Sequence, residues 1–188
     1  MIADFDRLKD AVERTAAELR SGKKRPERAR TVELRVVGHL ETEIATGEFT
    51  FRADAATDAG GDARHPRPMD YVLGGLVSCQ QMWCLRWAAL TKTPLAGLAL
   101  SAVGHFTWRG EYLDEVDAGL TMIETSYRVT DPSFNAGDLL AMADMVARRC
   151  PVFATLRKST RIKEYLFLND RLTATRHWNP GQSAAVAD

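Results

Sequence analysis

From Tyr71 to Leu90 the chain contains no proline, and Val72, Leu73, Leu76, Val77, Met82, Trp83, Trp87 and Leu90 recur at three- and four-residue steps. That is the period of an α-helix. A helix of this length runs to roughly 30 Å, about the diameter of a small domain, so the remaining elements must be arranged around it. Pro66 and Pro68 hold the approach extended, because proline fixes its own φ and restricts the residue before it. Asp70 is placed to cap the helix by accepting backbone N–H bonds. Gln80, Gln81, Arg86 and Lys92 interrupt what a membrane span would require, roughly 20 predominantly apolar residues. The pattern predicts a buried central helix carrying Cys79 about two and a half turns in.

Before this helix the period changes. Phe5, Leu8, Val12, Ala16 and Leu19 form a narrow helical stripe, and Arg20, Lys23, Lys24, Arg25, Arg28 and Arg30 follow in a basic connector with Gly22 and Pro26. Val32, Leu34 and Val36 then alternate with Glu33 and Arg35, and Phe49, Phe51 and Ala53 alternate with Thr50 and Arg52. Alternation of this kind marks half-buried strands, here a hairpin or meander turning at Thr46-Gly47. Gly60-Gly61 and two prolines make residues 54–68 a loop.

After the helix, Pro94 and Gly97 break the chain. Leu98, Leu100, Ala102, Phe106 and Trp108 are expected on one face of a strand, with a polar turn from Arg109 to Asp117. Ile123, Thr125, Tyr127 and Val129 form the inner side of another strand. A second helix is expected over 136–149, capped by Asn135, with Asp138 in its first turn and Leu139, Met142, Ala143 and Val146 inside. Cys150 extends that stripe, and Pro151 disfavours helical geometry at the cysteine. A short turn or helix and a last strand through Ile162 follow, and the segment from about 169 is expected to be loose. Strands, long helix, strands, second helix, strand is an α+β order with an antiparallel sheet. The expected division is an N-terminal helix and basic linker over 1–30, a main domain over 31–168 and a tail over 169–188.

An apolar fraction of 45% over 188 residues is enough to bury a full core without staples. The formal net charge is zero, so no global charge signal points to nucleic acid. The basic connector reads as a solvated linker. Three cysteines without a Cys-x-x-Cys spacing make neither a disulfide framework nor a zinc site. Asp4 and Asp6 stand where a secretory signal needs a positive start, which leads to the expectation of a reducing, cytoplasmic compartment.

Two cysteines fall at special places, Cys79 inside the buried helix and Cys150 at a helix break. Cys84 follows Cys79 by five residues, about 140° around the helix, so those two are poorly placed to bond. On pattern alone each cysteine also fits a small buried hydrophobe. A peroxide-reducing thiol has three further needs: a pKa lowered from about 8.5, a donor or cation for the peroxide oxygens, and a second thiol that resolves the sulfenic acid. The helix dipole fades before Cys79, so the charge must come from another element. Arg35 and Arg52 are the candidates, each also legible as a solvent-facing strand arginine. His39, His65, His105 and His177 show no metal-ligand spacing, and no nucleotide or phosphate loop is present. Neither cofactor nor metal is expected.

These residues resemble the OsmC/Ohr family, the osmotically inducible and organic-hydroperoxide-resistance proteins. The resemblance rests on Gly60-Gly61, Pro68-Met69-Asp70-Tyr71-Val72-Leu73, Ser78-Cys79, and Arg149-Cys150-Pro151-Val152 with Leu156, and spans roughly residues 31–165. It implies an intertwined α+β homodimer with its site at the subunit interface, Cys79 as the peroxidatic thiol and Cys150 as the resolving one. Family peroxidases carry a glutamate after the helix-start proline, paired with an arginine. Here Met69 takes that place, and Asp70, one position on, faces about 100° away. The chain is similar to the broader OsmC-like branch.

The reading that follows is a thiol-dependent peroxidase acting on organic hydroperoxides through Cys79 and Cys150. An external dithiol restores both thiols, Asp70, Arg35 and Arg52 are supporting residues, and Met69, Met82 and Trp83 form an apolar substrate wall. The alternative is a non-catalytic small-molecule binding module at a dimer interface, to which Met69 points. A third reading has residues 1–30 docking another protein. No nucleic acid or membrane partner is expected.

Overall fold

The long helix runs from Pro68 to Thr91 (α2), beginning two residues earlier than Asp70 as an N-cap would place it. Proline suits this start, because its missing N–H is one the first turn leaves unpaired anyway. Asp70 caps from within the first turn, its carboxylate accepting the Arg67 N–H at 2.9 Å. The computed structural model describes residues 3–181, and they divide into two units, 15–74 and 75 onward with the first turns of the N-terminal helix. That helix, α1, spans Phe5–Arg20 and buries no residue.

The first unit holds an antiparallel meander of β1 (Glu33–Gly38), β2 (Glu41–Thr46) and β3 (Phe49–Ala53). The turn at Thr46-Gly47 is as expected, with Gly47 at φ 59°. The middle strand was hidden in the sequence, because Glu41, Thr42 and Glu43 mask its alternation. Much of the sheet's apolar surface is open: Val36 is 67% and Phe49 74% exposed. The loop after β3 is tied by buried Asp54, which accepts the N–H groups of Ala55, Asp62 and Arg64 at 2.7, 3.3 and 3.0 Å. Gly61 is required there, since a Cβ would stand 2.2 Å from the Ala55 carbonyl oxygen. Gly60-Gly61 thus closes a loop.

The second unit is built on a four-stranded sheet in the order β4 (Gly97–His105), β5 (Met122–Thr130), β6 (Arg161–Leu168), β7 (Arg171–Trp178). The β4–β5 and β6–β7 pairs are antiparallel, but β5–β6 is parallel. The sheet is therefore mixed, and the reason is the connection. A parallel pair needs a crossover of a dozen or more residues, which α4 (Ala136–Arg149) and α5 (Pro151–Leu156) supply. Ile123, Tyr127, Val129, Ile162 and Leu166 on the sheet, Leu139, Met142 and Val146 on α4, and Leu76, Cys84 and Trp87 on α2 make the core.

Two expectations are corrected here. Phe106 and Trp108 do not continue β4. Thr107 caps a short helix, α3 (Trp108–Leu113), by accepting the Arg109 N–H, and Trp108 is 61% exposed. Alternation alone did not register this capping signal. Residues 171–178, expected to be loose, form β7. Asn169 and Asp170 take left-handed φ values of 48° and 63°, the geometry of a tight hairpin turn, and Leu172, Ala174 and Trp178 alternate after it. The end of the expected tail, 182–188, lies outside the described residues.

Candidate functional site

Cys150 sits between two helices because of its neighbours in sequence. The Asn135–Asp138 capping box starts α4, and Pro151 forces Cys150 out of helical geometry, to φ −78° and ψ 110°. Its N–H still bonds back to the Val146 carbonyl at 2.9 Å, while its sulfur accepts the Phe153 N–H at 3.4 Å and caps α5. The cysteine is therefore held from both sides, and its sulfur is fully buried.

The Cys150 thiol lies within hydrogen-bonding reach of Cys79. Burial first, and then this bond, push Cys150 up to about 12. A bond that raises a thiol favours its protonated form. Cys79 is buried as well, at 6% exposure, while Met82, three residues on, is 46% open. The two cysteines singled out in the sequence are brought together. Both are free thiols.

Cys84 belongs to the core instead. It is fully buried, and burial with the nearby Glu164 carboxylate pushes its thiol far up, which makes it a poor nucleophile. Glu164 is the most demanding buried group of the sheet. It accepts the Tyr127 hydroxyl at 3.0 Å and the Trp178 indole N–H at 2.6 Å, and meets Arg176 at 3.3 Å. Burial raises its carboxyl, while Arg176, Trp178 and Tyr127 pull the other way. Gln80, next to Cys79 in sequence and fully buried, finds no partner for its amide, a cost of about 1–3 kcal/mol.

The strand arginines are committed elsewhere. Arg35, Glu43 and Arg52 stand directly opposite one another across β1, β2 and β3. Arg35 meets Glu43 at 2.6 Å, and Arg52 meets Glu43 at 3.2 Å and Glu41 at 2.8 Å. The Arg35 hydrogen bond is the main cause holding Glu43 below the usual carboxylate range, and the Glu43 bond is the main cause raising Arg52. Met69 is half-buried and Asp70 exposed in the first turn of α2.

Sequence reasoning missed another pair of cations. Trp83, one turn after Cys79, carries the Arg86 guanidinium 4.7 Å from its ring centroid and the Arg149 guanidinium at 5.6 Å. Arg149 immediately precedes Cys150, and that adjacency was the one signal available in the sequence. A cavity of about 660 Å³ lies elsewhere in this unit, lined by Phe5, Lys9, Ala88, Lys92 and Leu95 among others, and neither Cys79 nor Cys150 borders it. Among the described residues no cluster of three or more His, Cys, Asp or Glu is arranged to hold a metal, and no helix is long and apolar enough to cross a membrane.

The fold is α+β, with two thiols from separate helices brought together. A family model described as OsmC-like protein matches residues 60–164, and the chain belongs to that family. Among solved structures, an OsmC-like protein from Mycoplasma pneumoniae is similar at 18% identity and TM-score 0.66, over 76% of this chain and 98% of that one. An organic hydroperoxide resistance protein OsmC from Legionella pneumophila is similar at 12% identity and TM-score 0.59, over 76% and 99%. A putative organic hydroperoxide resistance protein from Vibrio cholerae, with captopril bound in one active site, is similar at 12% identity and TM-score 0.56, over 79% and 98%. No curated protein matches the chain.

Proposed function

We propose that the protein reduces organic hydroperoxides, with Cys79 as the attacking thiolate and Cys150 as the resolving thiol. The observation that carries this is the Cys150 thiol within hydrogen-bonding reach of Cys79. Cys79 attacks the terminal peroxide oxygen, the O–O bond breaks, and the alkoxide takes a proton and leaves as the alcohol. Cys79 is then a sulfenic acid. The Cys150 sulfur attacks it, a disulfide forms, and water leaves with the Cys150 proton. An external dithiol restores both thiols by exchange. Met82 and Trp83 supply an apolar wall that favours organic peroxides over hydrogen peroxide.

The working form is a homodimer. Val36 and Phe49 on the meander and Val72 at the start of α2 are open by 67, 74 and 41%. Exposed apolar surface on this scale marks an interaction face. Sedimentation at micromolar concentration is expected to give twice the chain mass.

A second reading is supported by Met69 in place of an acid and by the engagement of Arg35 and Arg52 with Glu43 and Glu41. In that reading the same dimer holds a small apolar or thiol-reactive ligand near Cys79 without turnover. Consumption of an organic hydroperoxide in the presence of a dithiol separates the two. The wild-type protein is expected to consume it and Cys79→Ser is not; equal rates remove the peroxidase reading.

A further inference from the structure

Arg86 and Arg149 share with Arg128 and Arg157 a place over an aromatic ring with no carboxylate partner among the described residues. Among the described residues, neither Arg86 nor Arg149 meets a carboxylate, whereas Arg35, Arg52, Arg64, Arg109 and Arg176 all do. Both guanidiniums are instead drawn to one ring, that of Trp83. A guanidinium over an aromatic face spends its flat side on the ring and keeps N–H donors at its edge for a partner. Such a fork matches a carboxylate or phosphate with two parallel bonds. Arg148 and Arg149 complement the C-terminal end of the α4 dipole, which accounts for positive charge there. Arg86 reaches the same ring from three residues further along α2, the spacing of helical neighbours, so the tryptophan gathers one cation from each helix.

Position supplies the rest. Residues four apart on a helix lie about 6 Å from one another, which puts Trp83 directly after Cys79 on one α2 face. Arg149 adjoins Cys150, whose thiol bonds Cys79. The ring that both cations share therefore stands one helical turn from Cys79, beside Met82, which is open.

We infer that Arg86 and Arg149, ordered on Trp83, are specificity-determining residues that hold an anionic oxygen group, carboxylate or phosphate, of the molecule that reacts at Cys79. This rests on the peroxidase reading for the identity of the reacting group as a hydroperoxide. The anion preference itself is measurable without turnover.

The test is alkylation of Cys79 in the full-length protein by iodoacetate, which is anionic, and iodoacetamide, which is neutral, with Cys79→Ser as the blank. The ratio of the two rates, relative to free cysteine, is expected to favour iodoacetate. It is expected to fall about fivefold in Arg86→Gln/Arg149→Gln, the scale of two nearby screened charges, and to be rescued by Lys at both positions. In the wild-type protein it is expected to collapse toward the free-cysteine value as salt is raised. Octanoate and inorganic phosphate, added separately as competitors, tell the two sources of the anion apart, and protection by either supports the site. A ratio indifferent to salt and to both substitutions overturns the inference. So does a Cys79 closed to both reagents, because an anion on the tryptophan would then have no path to the sulfur. If the ratio behaves as expected but no hydroperoxide is consumed, the anion site stands and the peroxidase reading fails.

Discussion

The protein contains two arginine pairs in contrasting states. On the three-stranded sheet, Arg35 and Arg52 flank Glu43 in one row, and each cation has its anion in register. Beside the thiols, Arg86 and Arg149 share one tryptophan and have no anion among the described residues. The same division separates the cysteines. Cys84 is sealed near the fully bonded Glu164, while Cys79 precedes Gln80, whose amide has no partner among the described residues. Groups of the first kind are satisfied within the fold, and those of the second are not. Substitutions at the first kind should therefore change stability without touching reactivity, and substitutions at the second should do the reverse.

The largest effect is expected at Cys79. Cys79→Ser should take dithiol-driven hydroperoxide consumption to the uncatalysed background while leaving the thermal midpoint near that of the wild type. A serine protein that still turned over would break the contrast at its strongest point.

Next comes Glu164, the most heavily bonded member of the satisfied class. Glu164→Gln leaves Arg176 without its buried anion and is expected to cost about 2–4 kcal/mol in denaturant unfolding, with the rate at Cys79 unchanged. Because burial raises this carboxyl above its ordinary 4.5, the folded chain binds the proton more tightly than the unfolded one. Stability is therefore expected to fall as pH climbs from about 4.5 through the raised folded value. That slope should be absent in Glu164→Gln, and its persistence would remove Glu164 as the cause.

Cys84→Ala removes a buried sulfur from the core and is expected to cost about 1–2 kcal/mol by the same measurement, again without loss of turnover. The smallest effect is expected at the paired arginines. Arg35→Gln/Arg52→Gln should leave the iodoacetate-to-iodoacetamide ratio within about twofold of wild type, since exposed ion pairs are largely screened. A fall as large as that expected for Arg86 and Arg149 would erase the distinction between the two pairs.

What could be read in advance follows the range of the interactions involved. The central helix, the capping box of α4 and the break at Cys150-Pro151 are set by residues a few positions apart, and all were legible. The turn at Thr46-Gly47 was legible for the same reason. β2 was hidden because Glu41 and Glu43 interrupt the apolar alternation. β7 was hidden because its turn, Asn169-Asp170, was not weighed against the alternation that follows. The parallel β5–β6 pair depends on a crossover and has no local signature. The juxtaposition of Cys79 and Cys150 came from likeness to a family, since nothing in their spacing requires it. Arg35 and Arg52 were rightly placed on strands, but the glutamate between them is a cross-strand neighbour that only the register reveals. The stacking of Arg86 and Arg149 on Trp83 joins two helices far apart along the chain, and no periodicity reports it.

The central claim is that Cys79 and Cys150 act as one redox pair while Cys84 stands aside. One equivalent of an organic hydroperoxide, added to the reduced protein and followed by alkylation and peptide mass mapping, tests it most directly. A Cys79–Cys150 disulfide with Cys84 recovered as the alkylated thiol is the expected result. Three intact thiols, or a bridge that includes Cys84, would contradict it.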